Sequence, residues 1–475
     1  MNQPEDVEII LSHDRHYQFH SSVLARNSLL LADMLSERNA VPFSNKAKAA
    51  KIKIRWTIEL TSIEGHGTLE RLELNNEGKP IVRTQGIGLI LNENGRIPTK
   101  MFDYYESILY SFYGKNVAIS DDNIHAALLD AVAIIEIAEY LRCVPVISKP
   151  VDVALVKHGQ ELFKYIARQP YLWAQMAHRI KSELIFKEAL IHLAGNWNVY
   201  KDDKIAQDAI SNVPGLRDIC EKHHVKLDGR RERMELAIIS LYPGTLAAPS
   251  EDRPIRREEY SKDILVWMAL TFFRHWFGQR IIVRKGGQAS DGGYELYKAL
   301  GTAGEAYMDK SILNQLHLKF PLTKKAMNVL ENHLLEIKQC IKGLVEHHRI
   351  LKNESQLDMQ KHPELVNYLT CVDVQREDFP WLAQKDGTVN GSGKNGSEMI
   401  RRTMAANRAP AQFSEQSRAA YGASDDYYGG DGGSVAQGTY DNHYSAKADG
   451  STDVSPRKRI RQVDEQHLFR QVERY

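Results

Sequence analysis

The sequence predicts an α+β N-terminal domain, a mainly α-helical domain behind it and a disordered C-terminal tail. Three observations carry this. Residues 7–35 alternate apolar and polar positions over two short pieces, then change to helical spacing. Residues 151–377 hold one amphipathic helical stretch after another, separated by Pro and Gly breaks. Residues 385–475 contain no Trp and a single Leu, Leu468, among Gly, Ser, Asp, Asn and Tyr. So little apolar surface does not offset an ordering entropy of about 1–2 kcal/mol per residue. The boundaries read as 1–148, 149–384 and 385–475.

Bulk properties exclude several classes. The 475 residues give room for two or three domains. A net charge of +1 offers no global attraction to nucleic acid or to a membrane surface, and direct contact with either is not expected. The four cysteines (Cys143, Cys220, Cys340, Cys371) stand far apart, in no disulfide or metal-ligand spacing, which suits a reducing compartment. The N-terminus MNQPEDVEI is acidic and lacks an apolar signal core. The most apolar run, Ile264–Phe277, carries Arg274 and His275 and falls short of the roughly 20 residues a membrane span needs. The expectation is a soluble intracellular protein.

Taken in order, Val7–Leu11 and Arg15–Phe19 read as strands about a Ser12-His13-Asp14 turn, with Val7, Ile9 and Leu11 in one phase and Tyr17 and Phe19 in another. Val23, Leu24, Leu30, Leu31, Met34 and Leu35 then mark one helix, capped by Ser21 or Ser22. Ser44–Lys53 is Lys/Ala-rich and reads as loose. Ile52–Thr61, Leu69–Leu74 and Ile87–Leu91 read as hairpin strands. Phe102–Gly114 is an apolar helix with an aromatic-Gly stop, and Asp121-Asp122-Asn123 opens a helix over Asn123–Cys143. Pro145 and Pro150 punctuate the next boundary. Helices are expected over Val151–Arg168, Tyr171–Ile180, Ser182–Ala194, Lys204–Ser211, Arg231–Leu241, Ser261–Phe277, Gly292–Leu300 and Leu322–Lys352. In the last, Met327, Leu330, Leu334, Ile337, Ile341, Leu344, His348 and Leu351 step by three and four, which fits a coiled-coil seam or a long core helix.

Asp6, Tyr17, His20, Val23-Leu24-Ala25, Ser28 and Met34-Leu35 together resemble the opening of BTB/POZ domains. Phe102–Gly114 and Asn123–Cys143 resemble two later helices of that family, so the likeness covers about residues 6–160. It implies a β-hairpin insertion at about 38–85, with Ile87–Leu91 as the family's third strand, or one of the other two strands in its place. It also implies protein–protein association, including self-association through this domain. In BTB domains of zinc-finger repressors the Asp and a cation after the His build a charged pocket; Ser21 stands here instead, which argues against that pocket. A lone buried carboxylate is costly, so Asp6 is expected to be exposed or to accept N–H bonds. Some family members recruit a cullin with a hydrophobic-x-Glu signal, and Leu35-Ser36-Glu37 has that form.

The remaining motifs divide into chemistry and packing. His20 has no carboxylate or Cys at a useful spacing and reads as structural. Gly86-Ile87-Gly88 lacks the third Gly of a dinucleotide fingerprint. Cys220, His223 and His224, or Cys340, His347 and His348, form no paired zinc framework and read as surface histidines at helix ends. Trp267, Phe272, Phe273, Trp276 and Phe277 read as core. With no nucleophile elbow or phosphate loop either, no catalysis, cofactor or metal is expected.

In the tail, Arg457, Lys458, Arg459 and Arg461 resemble a short nuclear import signal readable by an importin, against the alternative of a solvated charge run. Ser455-Pro456 adds a proline-directed phosphorylation site beside it. Val463–Tyr475 has the spacing of a short helix for a partner. The functional expectation is a protein-interaction scaffold or adaptor of the nucleus, the cytoplasm or both. The alternatives are a substrate adaptor of a cullin-type ubiquitin ligase and a transcription or chromatin regulator acting through protein partners.

Overall fold

A computed structural model describes residues 4–12, 14–62, 65–77, 81, 100–242, 264–287 and 291–383. The expected strand Ile87–Leu91, the tail with Ser455 and Arg457–Arg461, and Val463–Tyr475 lie outside the described residues.

Strands β1 (Val7–Ser12) and β2 (Arg15–Phe19) form the expected antiparallel hairpin, with Ile9 opposite Tyr17. The helical run after them is two helices, α1 (Ser21–Asn27) and α2 (Leu29–Met34). Ser28 breaks the run because it is extended, and its Oγ caps α2 by accepting from the Leu31 N–H at 3.1 Å. Neither Ser21 nor Ser22 caps α1. Asp6 does, from the strand side: its carboxylate accepts the Ser21 N–H and the Ser21 hydroxyl, each at 2.7 Å. Reading a single helix missed this, because spacing alone does not show a cap supplied from another element.

The Lys/Ala-rich stretch contains a short helix, α3 (Asn45–Ala49), capped by Ser44. Next, β3 (Trp56–Ser62) pairs parallel to β1, Ile9 opposite Ile58, and antiparallel to β4 (Thr68–Leu72), giving the order β2-β1-β3-β4. The part expected to be inserted therefore supplies a central strand. Trp56, Ile58 and Leu60 are buried with Val7, Ile9 and Leu11. Helix α4 (Lys100–Ser111) packs on β1, and α5 (Ile124–Tyr140) packs on α4, with Asn123 capping α5 through the Ala126 N–H at 2.8 Å.

Pro145 and Pro150 do not mark a break. Both lie in α6 (Val144–Val156). Pro145 occupies the first turn, where a missing N–H costs nothing. Pro150 gives up one interior hydrogen bond, and burial of Ile147, Val151 and Leu155 offsets it. The break falls instead at Gly159, with φ 56°, before α7 (Gln160–Arg168). Then come α8 (Pro170–Ile180), α9 (Glu183–Gly195), α10 (Trp197–Tyr200), α11 (Lys204–Ser211) and α12 (Leu216–Ile239). Helix α12 begins well before the expected Arg231, since its first half has a mixed, charged pattern that weakens the periodic signal.

Helices α13 (Ile264–Gly287), α14 (Tyr294–Thr302), α15 (Lys310–Lys319) and α16 (Lys324–His347) follow, and the chain ends its described part in a short α17 (Pro380–Ala383). Helix α16 packs against α12, α13 and α14. It buries Leu330, Leu334, Ile337, Ile341 and Val345, a stripe that drifts off the strict seven-residue seam at Val345 instead of Leu344. That drift belongs to a straight core helix and not to a supercoil. Trp267, Phe273 and Phe277 are buried in the same core, with Phe272 and Trp276 packed against it. Among the described residues no helix is long and apolar enough to cross a membrane.

Candidate functional site

Between α13 and α15 lies an open apolar groove of about 500 Å³, lined by Ile264, Trp267, Met268, Thr271, Phe272, His275 and Leu316. Helix α13 places its six at the i, i+3, i+4, i+7 spacing of one face. Just beyond Leu316, α15 ends in Leu318 and Phe320, which are 81% and 65% exposed. The two helices carry more basic than acidic residues: Ile264–Gly287 contains no Asp or Glu and has Arg274 and Arg280, and residues 310–325 contain none and have Lys310, Lys319, Lys324 and Lys325, of which Lys310 pairs with Glu331 at 3.1 Å while Asp309 caps α15. Arg274 lies over the Tyr242 ring and donates to the Leu241 carbonyl at 3.0 Å, so part of this charge also holds the helix in place.

Two buried polar clusters look chemical at first sight. Glu188, His192, Ser355 and Tyr368 are all buried. Ser355 Oγ donates to Glu188, the Gln356 N–H donates to Glu188 Oε2 at 2.9 Å, and His192 bridges Glu188 at 3.2 Å and the Tyr368 hydroxyl at 2.8 Å. Burial pushes the Glu188 carboxyl up, but His192, Ser355 and the Gln356 N–H outweigh it and hold the group below its ordinary value. Ser355 Oγ also lies 3.4 Å from His192 Nε2, and the cluster ties the segment after α16 to α9. In the second cluster Asp378 accepts from Lys222 at 2.7 Å, His223 at 2.8 Å and the Gln375 N–H at 2.9 Å. His223 is thus a buried mid-helix residue, not the surface histidine the sequence suggested, and burial lowers its pKa despite Asp378. His347 and His348 do stand at the end of α16. No group of three metal-ligating side chains occurs among the described residues.

The N-terminal motif residues all have local partners. Besides Asp6 at the α1 cap, the Tyr17 hydroxyl donates to Glu106 at 2.6 Å, and the His20 N–H donates to the Tyr113 hydroxyl at 2.9 Å. Ser28 Oγ donates to the Leu141 carbonyl at 2.6 Å; Val23 and Leu24 are buried and Met34 is half-buried. Of the proposed cullin signal, Leu35 is buried and Glu37 pairs with Arg55 at 2.7 Å.

Comparison with known proteins places the family signal elsewhere. Residues 243–348 match the family described as FF domain, and no BTB/POZ match accompanies it. The BTB/POZ resemblance is therefore corrected, and the cullin reading that depended on it goes with it. The physical reason is visible in the contacts just given. Asp6, Tyr17, His20 and Ser28 close a hairpin onto helices, a local task that many unrelated chains share. No curated protein and no solved structure matches the chain. The sequence signal that could have led to the groove was the acid-free stretch of α13, passed over because its aromatics read as core. The described part of the match is α13 to the end of α16, and the groove lies within it.

Proposed function

We propose that this protein is a non-enzymatic interaction scaffold whose working surface is the groove between α13 and α15. The occupant is a partner segment that offers apolar side chains flanked by carboxylates. One observation carries the reading: an open apolar groove flanked by helices without a single acidic residue, inside a stretch that resembles a protein-interaction domain. Apolar contact supplies affinity there, and the surplus of basic residues on the two helices selects acidic partners and speeds encounter. The same reading extends to nuclear residence, with Arg457, Lys458, Arg459 and Arg461 as the import signal. A regulator of transcription acting through partners is one form it would take.

The test compares proteins co-purified with the full chain and with an Ile264→Asp/Thr271→Glu variant, both side chains being exposed on the groove. Direct partners identified from the wild type are then titrated against both. A loss of about tenfold or more in affinity supports the proposal, in line with the cost of placing charge in an interface centre. Unchanged affinity for every direct partner refutes it.

A further inference from the structure

A second cavity lies outside the FF-like stretch, between α12 and the segment Cys371–Gln375. It measures about 150 Å³. Helix α12 contributes His223, Lys226 and Arg230, which share a face because they are spaced by three and four. The opposite wall includes Cys371, Asp373 and Gln375.

The charges here are unevenly spent. Asp378, next to the cavity, is saturated by Lys222, His223 and the Gln375 N–H. Arg230 donates through Nη1 to the Cys371 carbonyl at 3.0 Å, a neutral acceptor that orients the guanidinium and leaves its charge uncompensated. Lys226 is exposed and, among the described residues, neither it nor Arg230 forms an ion pair. Asp373 lines the cavity but lies within ion-pair distance of neither. Two cations one helical turn apart therefore face one small cavity, an arrangement that repels itself until an anion enters.

We infer that this cavity is a binding site for a phosphate monoester, with Arg230 and Lys226 as its cationic ligands. A planar guanidinium offers paired N–H donors to two phosphate oxygens, and the ammonium adds a point charge on a flexible stem. A dianion of about −1.5 to −2 charges matches two cations better than a carboxylate does. The size decides against larger anions: ligand pockets for whole small molecules begin at roughly 300 Å³, so a nucleotide does not fit, and a single phosphoryl group does. The group is either free phosphate or the modified side chain of a partner.

Isothermal titration of the full chain at fixed ionic strength tests this, with inorganic phosphate and a Gly-phosphoserine-Gly peptide as probes and the unphosphorylated peptide as control. Saturable binding of at least one phosphate probe is expected, weakened tenfold or more in Lys226→Gln and in Arg230→Lys, and unchanged in Lys48→Gln, which removes an exposed charge on α3. Tighter binding of the phosphopeptide identifies a partner's side chain as the source; equal or tighter binding of inorganic phosphate identifies the free anion. Absence of saturable binding overturns the inference, as does an equal loss in Lys48→Gln. Because Lys226 is exposed and forms no ion pair among the described residues, its variant keeps the test valid if Arg230→Lys fails to fold.

Discussion

At the scale of single residues, the groups that hold the second half of the chain together were invisible to local reading. Glu188 meets Ser355 across 167 positions, and His223 meets Asp378 across 155. Spacing rules see neighbours on one helix, so a bond between a helix and a distant irregular segment leaves no periodic trace. Removing one partner of a buried charged cluster strands the others. Glu188→Ala is expected to cost about 3–5 kcal/mol in equilibrium urea unfolding. The same groups set a pH dependence. Burial lowers the folded pKa of His223, so the unfolded chain takes up the proton first. Stability from this group is therefore complete above about 6.5, the unfolded value, and is lost as pH falls through the folded one. Glu188 and Asp378, also held low when folded, add stability that is complete above about 4.3 and about 3.9 and lost as pH falls further. The urea midpoint should thus drop from pH 7 to pH 5 and again below about pH 4.3. His223→Gln should flatten the first drop and leave the part of the second that comes from Glu188, with His178 and His348, both lowered by burial, supplying the residual slope of the first. A midpoint independent of pH between 7 and 5 in the wild type would remove this account.

At the scale of elements, helices with one clean apolar stripe were legible, and elements defined by a partner were not. Lys204–Ser211 was placed to the residue, and the helix expected over Leu322–Lys352 is present as α16, two residues shorter at its start and five at its end, because a single face of each meets the core. Strand β3 read correctly as a strand but not as the centre of the sheet, since its pairing to β1 depends on chain folding between them. The irregular segment after α16 was read only as the end of a helical region. It runs back across α9, where Gly195 is in backbone contact with it: a Cβ there would lie 2.3 Å from the Leu369 carbonyl oxygen. Gly195 has no unusual φ, so the requirement is purely one of space. Gly195→Ala should force the segment away from α9 and destabilise by about 1–3 kcal/mol, the range for overpacking. Hydrogen exchange should show faster opening at residues 353–372 than at α5, whose packing is untouched. Equal protection at both places would mean that the segment yields without loss.

At the scale of the whole molecule, the stretch that matches the FF domain is not closed on itself. The core formed by Trp267, Phe273, Phe277, Tyr297, Leu330, Leu334 and Ile341 also takes in Leu227, Met234 and Ile238 from α12, Ile191 and Ala194 from α9, and Leu369, Cys371 and Val372 from the returning segment. Glu235 of α12 accepts the buried Tyr297 hydroxyl of α14, so cutting between them removes a buried hydrogen bond as well as exposing apolar surface. Each large apolar side chain withdrawn from such a core forgoes about 1.5–3 kcal/mol of burial, and a domain's whole margin is only about 5–15 kcal/mol. Residues 243–348 expressed alone should therefore melt broadly and at lower temperature than residues 1–383, followed by circular dichroism at 222 nm, and should show poorly dispersed amide resonances. The groove between α13 and α15 would then lose its shape together with the core behind it, so a partner that binds the full chain through the groove should bind the excised stretch weakly or not at all. A sharp, cooperative melt of residues 243–348 at the temperature of the longer chain would mean instead that α9, α12 and the returning segment merely rest against a self-sufficient unit.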